Sequence, residues 1–153
     1  MKTTLLISAA VLLATATLAL ADTPLAGQWH GNDRFFGLRQ EEGAAARGVP
    51  QYVEIDLTIS STGAVTGHIG GAELSGCVLE TNRGWLGRLL HIKTDYIIRG
   101  KMTGRVSSQS EDGAHVISVP LNLVGNELRG SAFVSGGAFD FPYPFLKLQL
   151  ARP

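Results

Sequence analysis

From Gln51 onward the chain alternates apolar and polar residues one by one, and each alternating run stops at Gly, Asn, Asp or Ser. A period of two puts successive side chains on opposite faces of an extended backbone, so such runs bury one face and wet the other only as β-strands. Val53, Ile55, Leu57 and Ile59 alternate with Tyr52, Glu54, Asp56 and Thr58, and Ser60-Ser61-Thr62-Gly63 turns the chain into Val65, Gly67 and Ile69. Gly70-Gly71 leads into Leu74, Gly76 and Val78, and Asn82-Arg83-Gly84 closes that run before Leu90 and Ile92. Ile98, Gly100, Met102, Gly104 and Val106 then alternate with Arg99, Lys101, Thr103 and Arg105. After Ser110-Glu111-Asp112-Gly113, the residues His115, Ile117, Val119, Leu121 and Leu123 share a face. Gly125-Asn126 precedes Leu128, Gly130, Ala132 and Val134, and Leu146, Leu148 and Leu150 alternate near the end.

With Gly27–Phe36 counted, about eight strands punctuated by turn signals predict an all-β antiparallel meander, and about eight is the number that closes into a small barrel. A single up-and-down barrel over residues 22–153 is the expected fold, with a β-sandwich as the alternative. Gly67, Gly76, Gly100, Gly104 and Gly130 fall on the apolar rows. Glycines repeated on an inner face point either to tight coiling or to room left inside. The segment Leu38–Gly48 breaks the alternation and reads as a loop or short helix over a barrel mouth.

A folded domain is consistent with 44% hydrophobic and 17% charged residues, and 13 basic against 13 acidic residues give no field that would steer the chain to nucleic acid or anionic lipid. Met1-Lys2, the uncharged stretch Leu5–Leu20 and Ala19-Leu20-Ala21 have the pattern of a secretory signal peptide, 1–21, cleaved before Asp22. Its removal takes Lys2 and leaves the mature chain one acidic charge from neutral. The expected location is outside the cytoplasm, periplasmic or secreted, with no membrane span left in the mature chain. Cys77 is the only cysteine, so no internal disulfide forms and the core alone must hold the fold. Its apolar surroundings suit a small buried hydrophobe better than a reactive or interchain thiol.

GxSxG, HExxH, CxxC and P-loop motifs are absent, and no cofactor is expected. His30, His68, His91 and His115 lie on different strands without close ligand spacing, so no metal site is assigned. His115 reads as a rim residue. Asp33 falls on the row of Trp29, Gly31 and Phe35, where an inward carboxylate must be paired, hydrated or functional, unless the alternation has already lapsed there. The loop from Asn82 to Arg88 sets Trp85 between Arg83 and Arg88, residue types common at protein-binding hot spots. Trp85 reads equally well as a core cap flanked by solvated arginines. A second aromatic cluster, Phe139 to Phe145, carries Pro142 and Pro144, which suit an edge or an irregular strand entry.

Gly27-Gln28-Trp29 resembles the G-x-W signature of lipocalins and related calycin barrels, and Thr94-Asp95-Tyr96 resembles their T-D-Y turn. The resemblance implies that Trp29 closes one barrel end and that an arginine near the last strand packs across it, for which Arg129 is the candidate. The leading reading of the barrel is that it binds a small apolar or amphipathic ligand in its interior or mouth, near Trp29, Asp33, Met102 and Gly104. A protein-binding module, such as an exported hydrolase inhibitor acting through Arg83, Trp85 and Arg88, is the second reading. A cofactor-free cyclase or isomerase using Asp33 is the third.

Overall fold

The computed structural model describes residues 23–35, 51–81, 94–108, 110, 112–136 and 139–153, without the side chains of 136 and 139–144. Its strands are β1 (Gly27–Phe35), β2 (Gln51–Ile59), β3 (Ala64–Ile69), β4 (Ala72–Thr81), β5 (Tyr96–Gly104), β6 (Gly113–Val124), β7 (Glu127–Gly136) and β8 (Phe139–Ala151). They join in chain order, each antiparallel to the next, and β8 returns to β1 to close one barrel. The architecture is the up-and-down barrel expected from the alternation, not a sandwich. The segment containing Leu90 and Ile92 and the segment Leu38–Gly48 lie outside the described residues.

Register follows from short turns. Between β2 and β3, the Gly63 N–H donates to the Ser60 carbonyl at 3.0 Å and the Ala64 N–H donates to Ser60 Oγ at 2.9 Å. Gly63 sits at φ 84°, a left-handed turn position that favours glycine. This turn pairs Ile59 with Val65 and Asp56 with His68, while β1 runs beside β2 in an unbroken ladder from Gly27↔Ile59 to Phe35↔Gln51.

The inner rows supply the core. Trp29, Ile55, Leu57, Ile59, Val65, Ile69, Ile98, Met102, Ile117, Val119, Leu121, Leu128, Leu148 and Leu150 are all buried. Each such side chain contributes about 1.5–3 kcal/mol relative to exposure, which is how a barrel without an internal disulfide holds together.

On β4 the alternation misleads. Val78, expected inside with Leu74 and Gly76, is 46% exposed, whereas Cys77 is buried. A register shift between Ser75 and Val78, with Gly76 at φ 57°, inserts a bulge that reverses the phase of the strand. Cys77 therefore turns inward onto Gly100, where an added Cβ would lie 2.3 Å from its sulfur. Burial pushes the Cys77 thiol above its ordinary value, which makes it a structural thiol with little thiolate character. A Cβ at Gly67 would come 1.9 Å from the Asp56 carbonyl, and one at Gly130 would come 2.1 Å from the Pro120 carbonyl. These inner-row glycines serve close strand approach and coiling, while Gly76 itself is exposed.

Because Met102 is fully buried and its neighbour Lys101 is exposed, Met102→Asp should cost several kcal/mol while Lys101→Asp stays within about 0.5 kcal/mol. Denaturant unfolding of the two variants checks this; equal shifts would contradict the register.

Candidate functional site

The two ends of the barrel differ. At the end where β1 begins, Trp29 is 1% exposed and its Nε1–H donates to the Leu25 carbonyl at 2.8 Å. The Arg152 guanidinium lies over the indole ring, 4.8 Å from its centroid, and Arg152 Nη2 donates to the Pro24 carbonyl at 2.7 Å. The segments flanking the barrel, Pro24-Leu25 before β1 and Arg152 after β8, thus seal this end around one indole. A cation on an aromatic face adds about 0.5–1 kcal/mol at an exposed site and more when desolvated. Arg129, the expected partner of the tryptophan, instead donates to Glu127 Oε2 at 2.7 Å on the outer surface of β7. Arg152 was not anticipated because it lies past the alternating run of β8.

At the opposite rim, β1 ends at Phe35, β2 begins at Gln51, and β5 and β6 are joined through residues 105–112. One side of this rim is closed by local hydrogen bonds. The Gly71 N–H donates to the Val106 carbonyl at 3.2 Å, and buried Ser110 donates from Oγ to the Ser107 carbonyl at 3.0 Å. Met102 faces His115 directly across the β5–β6 ladder. His115 is half-buried, its Nε2 is buried, and that nitrogen has no hydrogen-bond partner among the described residues. A buried unpartnered imidazole nitrogen carries a desolvation cost of about 1–3 kcal/mol, which a polar ligand group would relieve.

Asp33 sits opposite buried Val53 on the inner row of β1, as the alternation predicts. Its carboxylate accepts the backbone N–H of Gln149 on β8, so the carboxylate is paired, and the partner belongs to the barrel wall. Gly104 is half-buried at φ 109° beside Gly71 and Ala72. Arg83, Trp85 and Arg88 lie outside the described residues.

Sequence spacing gave no sign of a third arrangement, on the outer wall. His30 on β1 and His68 on β3 both stand directly opposite Asp56 on β2. His30 Nδ1 is 2.6 Å from Asp56 Oδ1, and His68 Nε2 is 3.1 Å from Asp56 Oδ2. Glu54, two residues along the same face, brings Oε1 to 3.9 Å from His30 Nε2. One N or O atom each from His30, Glu54 and Asp56 lies within 4.8 Å of the others. Only the cross-strand register, which depends on exact turn lengths, unites these groups. Comparison with protein-family models, with curated proteins and with solved structures finds no match.

The hydrogen bond to Asp56 is the main reason that His30 titrates above the ordinary imidazole value of 6.5; desolvation opposes it, and the Asp56 and Glu54 charges add to it. On its other side His30 faces uncharged Ala151. Since the folded-state value is raised, the contribution of His30 to stability is present in full below 6.5 and is lost as the pH rises through the folded-state midpoint. NMR titration in metal-free buffer should give a His30 midpoint above 6.5 that falls on Asp56→Asn. An unchanged midpoint in the variant would remove Asp56 as the cause.

Proposed function

We propose that the protein is an exported small barrel of calycin type that takes up a small apolar or amphipathic molecule at the mouth opposite Trp29. The observation that carries this reading is the unpartnered Nε2 of His115 on the inner row beside Met102. Ligand sites typically pair an apolar wall with a few placed polar atoms, and an inward imidazole opposite buried Met102 has that composition. The calycin reading draws further support from Gly27-Gln28-Trp29 together with Arg152, which takes the place across the indole that the resemblance gave to Arg129. Export rests on the pattern of residues 1–21. Among the interior positions, Asp33 is read as a wall element and Trp29 as the plug, so His115 and Met102 carry the ligand reading.

A filling mutation at Gly104 is a poor test, because φ 109° strains any side chain there. His115→Leu is better: replacing an unpartnered polar group with an apolar one should leave the melting temperature unchanged or raised. The same substitution should weaken uptake of a fluorescent polyene fatty acid by roughly tenfold, the value of one hydrogen bond. Trp85→Ala should leave uptake unchanged. Absence of saturable uptake by the wild type, or equal uptake by His115→Leu, would overturn the reading, and loss on Trp85→Ala would move the site to the Trp85 loop.

A further inference from the structure

The outer wall holds a cluster that the ligand reading does not use. Glu54 and Asp56 are outward-facing neighbours on β2, and the uninterrupted β1–β2 ladder fixes His30 directly beside them. The imidazole and both carboxylates offer ligand atoms within 4.8 Å of one another. On the far side, His68 Nε2 reaches the second oxygen of Asp56 at 3.1 Å. His30 and Glu54 are exposed and Asp56 is half-buried, so small ions reach the cluster freely.

We propose that His30, Glu54 and Asp56 form a divalent transition-metal site, with Zn²⁺ as its best-fitting ion, and that His68 positions Asp56 within it. Three considerations support the assignment. Donors about 2.0–2.2 Å from a tetrahedral Zn²⁺ lie roughly 3.3–3.5 Å from one another, and one ligand atom from each of His30, Glu54 and Asp56 already lies within 4.8 Å of the others, a gap that rotation of surface side chains can close. Two carboxylates and a neutral imidazole balance a dication, and the mixture of one nitrogen with two oxygens suits Zn²⁺ better than Ca²⁺, which takes oxygen alone. Ligating carboxylates are commonly held by a hydrogen bond from behind, and the His68 N–H supplies one to the oxygen of Asp56 that His30 does not use. Zinc binding would displace the hydrogen that His30 shares with Asp56 to solvent, leaving a neutral imidazole as ligand. A fourth position remains open to water or to a ligating group of another molecule. An exposed His–carboxylate network of this kind adds little to stability by itself, which leaves room for a role in binding.

The test is calorimetric titration of the folded protein, freed of metal by a chelator, with Zn²⁺ alone. One Zn²⁺ should bind per chain, and an equal concentration of Ca²⁺ should not compete. His30→Asn and Asp56→Asn should each weaken binding by more than tenfold, and His68→Leu by roughly tenfold or more, as for other residues that hold a ligand from behind. His68→Gln, which keeps an N–H donor, should recover much of the loss, and the visible absorption of bound Co²⁺ should shift in His68→Leu but vanish in His30→Asn. Glu80→Gln, on another ion pair of the outer wall, should change nothing. Because the substituted side chains are at least partly exposed and the His30 contribution is lost at high pH, melting curves without zinc should overlay at a pH above the His30 midpoint. As a measurement needing no variant, Zn²⁺ should shift the ring NMR signals of His30 and His68 and spare His115. Failure of the wild type to bind one equivalent, equal binding by His30→Asn, or zinc shifts confined to other histidines would overturn the proposal.

Discussion

Closure of the barrel rests on one seam, where the first strand meets the last. Backbone pairing across it is recorded at His30↔Ala151 and Phe35↔Leu146. Between those points the Asp33 carboxylate accepts the Gln149 N–H, putting a side-chain acceptor on β8. Gly31 makes the approach possible, since a Cβ there would lie 2.6 Å from Leu150 Cδ2 and 2.7 Å from the Gln149 carbonyl. An unclosed eight-stranded sheet would present two edges, each a row of unpaired donors and acceptors open to association with other chains. The same seam sets β8 so that Arg152, just beyond it, reaches the face of Trp29. Plug and seam are therefore coupled through a few residues of β8.

The strand pattern was legible because each inner row repeats at period two, and β2 and β6 follow it closely. It failed where the backbone breaks period: the Gly76 bulge exchanges Cys77 and Val78 between faces, and Phe145 and Leu146 are consecutive yet both buried beside a register shift in β7–β8. A glycine within an alternating run hints at a bulge without saying whether the phase reverses. The inward position of Asp33 was also readable, but its partner was not, because Gln149 is 116 residues away in sequence. The His30–Asp56–His68 row was hidden for the same reason. Its members are separated by turns and by a connection whose lengths decide which residues stand opposite, and a shift of one residue would scatter them to opposite faces.

The features that bear on function divide between the inside and the outside of one wall. Inside, apolar rows leave His115 as an unpartnered polar group near the rim opposite the plug. Outside, β1, β2 and β3 carry histidines and carboxylates at matching register positions. Both arrangements require a fixed register, which in a barrel of adjacent antiparallel strands is enforced by closure. Asp33 thus acts at a distance on each: it pins β1 to β8, and β1 carries both Trp29 and His30.

Hydrogen exchange at the Gln149 amide tests this dependence most directly. If Asp33 holds the seam, Gln149 should be strongly protected in the wild type. Asp33→Ala should remove that protection and lower global stability by about 1.5–3 kcal/mol, the value of a hydrogen bond to a charged group, while Asp33→Asn, which keeps an acceptor, should retain much of both. Protection at Gln149 unchanged in Asp33→Ala would show that the seam closes without the carboxylate and would contradict the account.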